Sequence, residues 1–120
     1  MKKFFTFLFL FSSCVTYAQD TINKNGYNVF YYSSGKKQSE GILENGKPNG
    51  YWKNYYENGF IKSEGNRINY EIDSTWKFYD DKGSISLEIN YLKGKKDGIR
   101  KTYRVDEITE ESFKNDIKEG

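Results

Sequence analysis

Three glutamates, Glu40, Glu64 and Glu88, and one aspartate, Asp73, are the acids whose types and spacing bear on catalysis. Paired carboxylates cleave glycosidic bonds, one serving as acid and the other as base or nucleophile. The chain has no histidine and one cysteine, Cys14. Nucleophilic catalysis needs an activated Ser, Cys or Lys beside a base, and the common versions of that arrangement lack their base here. The glutamates recur every 24 residues in step with Lys53, Lys77 and Lys101. A carboxylate recurring opposite a lysine reads as register and solubility, so no catalytic residue is expected. "DDKG" at Asp80–Gly83 and "KKDG" at Lys95–Gly98 lack the alternating oxygen ligands and closing glutamate of a calcium loop, and read as turns. No metal site and no cofactor are expected.

Aromatic side chains are the other source of chemistry, through contact. Tyr31, Tyr55, Tyr79 and Tyr103 are each 24 residues apart, and Trp52 and Trp76 keep the same step. Exposed tyrosine and tryptophan anchor protein partners or stack on sugars. The same side chains can instead hold a thin sheet together. Both roles fit, and these six residues are the candidate binding set.

The elements that position them follow from the same period. Gly35, Gly59 and Gly83 share it, as do Gly26, Gly50 and Gly98, with Ser74 in the gap. Cutting at 24 residues gives units 25–48, 49–72, 73–96 and 97–120 after a lead-in over 19–24. The fourth is worn: Arg100 stands in the tryptophan column and Glu107 in the turn-glycine column. Terminal units of a stacked array face solvent on one side, so atypical ends are expected. Within a unit, "YWKNYY" and "FIKSEG" are aromatic and β-branched runs joined by Glu57-Asn58-Gly59, a hairpin signal. The fold class is therefore all-β: a repeat array of four 24-residue β-hairpin units forming an elongated, twisted antiparallel meander of about eight strands.

A two-residue loop at Asn58-Gly59 would set Glu57 opposite Phe60, Tyr56 opposite Ile61, Lys53 opposite Glu64 and Trp52 opposite Gly65. The same count sets Lys77 opposite Glu88 and Trp76 opposite Ile89. In this register lysine meets glutamate across strands and an indole covers the bare glycine it faces. One face would carry Trp52, Tyr56, Ile61, Trp76, Phe78, Ile85, Leu87 and Ile89, and the other the tyrosine, lysine and glutamate columns. A single sheet leaves its apolar face in need of cover, by curling, by a partner or by a second copy.

The amino terminus reads separately. Lys2 and Lys3 precede an apolar run from Phe4 to Phe11, then small residues up to Ala18. That is the pattern of a secretory signal peptide over 1–18, too short for a membrane span. Export to the periplasm, cell surface or medium is expected, with no transmembrane span in the mature chain. The minority alternative is a lipid anchor through Cys14 in "FSSC". The full chain has 19 basic and 17 acidic residues, but Lys2 and Lys3 would leave with the leader, giving 17 against 17. A neutral, evenly mixed chain carries no electrostatic footprint for nucleic acid.

The segments "GKPNGYWKNYYENGFIKSEGN" and "STWKFYDDKGSISLEINYLKGKKDG" resemble the MORN-repeat variant, a Gly-aromatic hairpin repeat found in YwqK-like antitoxin-type proteins. The second unit meets its pattern best, and the first and fourth depart at the tryptophan column with Asn28 and Arg100. The resemblance implies a non-catalytic array of hairpins that binds something. The function expected is a binding or interaction module of the cell envelope, with a protein partner, self-association included. The alternative is an antitoxin-like or immunity protein that masks a toxin, and a glycan or lipid surface is a further candidate contact.

Overall fold

The computed structural model describes residues 22–120. The expected export signal and Cys14 lie outside these residues. Nine strands, β1 (Gly26–Tyr31), β2 (Lys37–Glu44), β3 (Lys47–Tyr55), β4 (Ile61–Ile68), β5 (Glu71–Tyr79), β6 (Ile85–Leu92), β7 (Lys95–Tyr103), β8 (Ile108–Lys114) and β9 (Ile117–Glu119), form one open sheet. Each strand pairs antiparallel with the next in sequence, and no helix occurs among the described residues. None of them therefore forms a helix long and apolar enough to cross a membrane. The count exceeds the eight strands expected because Asn115-Asp116 turns the chain once more, into the short β9.

Two kinds of connection alternate along the meander. At Asn45-Gly46, Asn69-Tyr70, Lys93-Gly94 and Asn115-Asp116 both residues have positive φ, from 50° to 83°. These are two-residue type I′ turns, whose twist matches that of the flanking strands. At Glu57-Asn58-Gly59 only Gly59 has positive φ, at 101°. The Gly59 N–H donates to the Tyr56 carbonyl at 3.0 Å and the Tyr56 N–H to the Phe60 carbonyl at 2.9 Å. This is a type I turn closed by a left-handed glycine, a three-residue loop rather than the two-residue loop expected. Gly35 and Gly83 close the corresponding loops with the same bonds.

An odd loop residue should displace every cross-strand pair by one. Tyr55 does pair with Ile61, but Asn54 pairs with Ser63, leaving Lys62 as a bulge. The bulge returns the lost residue, so Lys53 faces Glu64 and Trp52 faces Gly65 as the sequence indicated. Lys77 likewise faces Glu88 and Trp76 faces Ile89, with Ser86 bulged. The expected pairs next to the loop, Glu57 with Phe60 and Tyr56 with Ile61, are not formed. Paired residues project to the same face, so Ile61 and Ile85 lie with Tyr55 and Tyr79, not with the tryptophans. In the last hairpin the Arg104 N–H donates to the Glu107 carbonyl at 2.9 Å, so the loop is the two residues Val105 and Asp106. Tyr103 then pairs with Ile108, and no bulge follows.

The core lies within the single layer. Leu43, Trp52 and Trp76 are buried at 4–6 % exposure, and Phe30, Ile72, Phe78 and Tyr91 pack around them. Phe30 stacks on Trp52 with ring centroids 6.3 Å apart. Each indole lies across the preceding strand, where a register shift interrupts the ladder, and donates its N–H to a backbone carbonyl there. Trp52 reaches Ile42 at 3.0 Å and Trp76 reaches Asn66 at 2.8 Å. The glycine beneath Trp52 is thus Gly41 of β2, not the expected Gly65, which lies under Trp76. One covered aromatic removes about 150–250 Å² from water, worth roughly 4–6 kcal/mol gross at about 25 cal/mol per Å². Cross-strand charge pairs contribute only about 0.2–1 kcal/mol each.

Polar residues close the tryptophan column at both ends. Asn28 is buried and binds the lead-in, donating to the Asn23 and Gly26 carbonyls and accepting the Asn23 N–H. Arg100 bonds to Glu111, which Lys118 of β9 also meets at 2.7 Å.

Candidate functional site

Glu40, Glu64 and Glu88 stand in the middle of β2, β4 and β6, on the face opposite the tryptophans. Lysines flank them in register, since Lys53 pairs with both Glu40 and Glu64, and Lys77 with both Glu64 and Glu88. The sequence read these as lysine–glutamate contacts. The structure gives the carboxylates to tyrosine instead, and among the described residues neither Lys53 nor Lys77 forms an ion pair.

Glu64 accepts the hydroxyl of Tyr51 at 2.8 Å and that of Tyr79 at 2.6 Å. Glu40 accepts the hydroxyls of Tyr27 and Tyr55 and pairs with Lys37 at 3.2 Å. Glu88 accepts Tyr103 alone, because Thr75 occupies the place that Tyr51 and Tyr27 fill one and two hairpins earlier. Glu40 and Glu64 are thereby each met by a tyrosine from the strand before and another from the strand after. The tyrosine ring spans the diagonal that a cross-strand neighbour leaves open, which makes the contact geometrically natural.

This arrangement fixes the charge on the acids. Hydroxyl donation from Tyr27 and Tyr55 holds Glu40 down at about 2. Burial pushes Glu64 up, but the Tyr79 and Tyr51 hydroxyls and the Lys53 and Lys77 charges outweigh it, and its value is lowered. The tyrosines move the other way. The bond to Glu40 raises Tyr27 to about 12, and burial, then the bond to Glu64, raises Tyr51 to about 12. A glycosidase general acid needs a raised carboxyl pKa, whereas those of Glu40 and Glu64 are lowered. Asp73 takes the Lys93 N–H at 2.9 Å and the Ser74 hydroxyl, and does not join the glutamates. Asp80 accepts the N–H groups of Lys82 and Ser84, as a turn residue does.

The six candidate binding residues occupy three settings. Trp52 and Trp76 lie in the core. Tyr55, Tyr79 and Tyr103 are half-buried with their hydroxyls on Glu40, Glu64 and Glu88. Tyr31, on the edge strand β1, is exposed. Tyr27 and Tyr51 are not among these six; they share the 24-residue step, but their series ends after two members. With Ile42, which pairs with Tyr27, they form an exposed apolar patch across β1, β2 and β3 at 57, 46 and 47 % exposure for Tyr27, Ile42 and Tyr51. This patch adjoins the ionised Glu40 and Glu64. No family model, curated protein or solved structure matches the chain.

Proposed function

We propose that this chain is a non-catalytic β-hairpin protein of the cell envelope that binds a macromolecular partner through its tyrosine–glutamate face. The observation that carries the reading is the contiguous patch of Tyr27, Ile42 and Tyr51, which lies on three neighbouring strands beside two carboxylates that stay charged. An apolar centre rimmed by charge is the usual make-up of a protein-binding surface. The sheet is built from four hairpin units of the MORN-variant kind, the last of them shortened at its loop. Type I′ turns at 45–46, 69–70 and 93–94 and the recurring indole-to-carbonyl bond support this division. Export rests on the amino-terminal pattern. The antitoxin-like role rests on the resemblance, and a toxin is one identity the partner can take.

The test is capture from the chain's own cells with tagged protein, compared with the Ile42→Lys variant. The reading expects one stoichiometric protein on the natural chain, lost from the variant, with equal melting temperatures. Capture of no macromolecule, or equal capture by both proteins, contradicts it.

A further inference from the structure

Thr75 breaks a series that the rest of the face keeps. Tyr27 and Tyr51 each lay a phenol ring beside a glutamate of the next strand and donate a hydroxyl to it. Thr75 occupies the equivalent place on β5 but is too short to reach Glu88, and its hydroxyl turns to the Asn90 side chain at 3.1 Å. A hollow of about 370 Å³ opens there, lined by Thr75, Glu88, Asn90, Gly98, Ile99 and Lys101. These residues surround the position of the missing ring. Gly98 forms the part of the wall without a side chain, Ile99 is an apolar side wall at 44 % exposure, and Glu88 retains acceptor capacity beyond its bond to Tyr103. Lys101 pairs with Glu88 across the strands, and its ammonium meets Glu110 at 3.8 Å.

We propose that this hollow is a binding site for a small phenol, which would lay its ring where Tyr27 and Tyr51 lay theirs and donate its hydroxyl to Glu88. The site does not depend on the macromolecular contact proposed above. Its recognition is already built twice within the same sheet, at Glu40 and Glu64, with the ring supplied by the chain itself. A free phenol meets the same acceptor and the same flat wall without a tether. The ring supplies apolar contact, and the hydroxyl supplies a hydrogen bond to a charged acceptor, which discriminates strongly against a ligand that lacks it.

Purified protein titrated with para-cresol and followed by amide chemical shifts tests this directly. Saturable shifts are expected at Thr75, Asn90, Gly98 and Ile99. Para-methylanisole, of similar shape without the donor, should bind at least about tenfold more weakly, the loss expected for one charge-assisted hydrogen bond. The Thr75→Tyr variant fills the hollow from within and should abolish the shifts, and Glu88→Gln should weaken them. N-acetyl-tyrosinamide separates the sources: binding equal to that of para-cresol assigns the site to a tyrosyl side chain, and weaker binding assigns it to a free phenol. Unchanged binding in folded Thr75→Tyr, equal affinity for the methyl ether, or no saturable shift with para-cresol would overturn the proposal.

Discussion

Trp76 covers Gly65 so closely that a Cβ placed on the glycine would come within 2.4 Å of the indole. The indole is buried and tied by its N–H to the Asn66 carbonyl, so it has no room to yield. Gly65→Ala should therefore destabilise the sheet by about 1–3 kcal/mol through overpacking. Trp76→Ala should cost more, about 3–5 kcal/mol, and Lys77→Ala less than about 1 kcal/mol. Thermal melts of the three variants check the order, and similar losses for Trp76→Ala and Lys77→Ala would refute it.

Acid and alkali should both weaken the fold through the tyrosine–glutamate contacts. Glu40 falls from 4.5 to about 2 on folding, so its contribution is present above about pH 4.5 and disappears as the pH drops towards 2. Tyr27 rises from 10.0 to about 12, so its contribution is complete below pH 10 and disappears as the pH climbs towards 12. Melting temperature should thus form a plateau between about pH 5 and 10 that declines on either side. Tyr27→Phe should soften both declines, and a profile identical to the natural chain would count against the contact.

Tyr70 holds a φ of 73° in a turn whose counterparts at Gly46 and Gly94 are glycine. A left-handed backbone costs a residue with a Cβ about 1 kcal/mol. The Lys47 ammonium over the Tyr70 ring, 5.2 Å from its centroid, offsets only part of this because the site is surface-facing. Tyr70→Gly is expected to raise stability by about 0.5–1 kcal/mol in urea melts. A destabilised variant would show that the ring does more than the turn geometry indicates.

The all-β class, the sequential strands and the central register could be read from the residues, because the tryptophan, lysine and glutamate columns recur at one step. The turns could not. Asn58-Gly59 and Asn45-Gly46 are the same dipeptide, yet one closes a type I loop and the other a type I′ turn. Flanking strand register decides between them, and a dipeptide does not carry it. The central pairs came out right because the longer loop and the Lys62 bulge cancel. The covered glycine was misassigned because Trp52 pairs with both Gly41 and Gly65, and strand pairing alone does not say which way the indole leans. Tyr27 and Tyr51 escaped notice because their glutamate contacts run diagonally between strands, 13 residues apart in sequence.

Tyrosine-directed surface labelling, carried out on the chain in its own cells and again on purified protein, tests the proposed contact face most directly. The account predicts that Tyr27 and Tyr51 are protected in the cells while exposed Tyr31 labels equally in both samples. Equal labelling of all three tyrosines in the two samples would contradict a partner on this face.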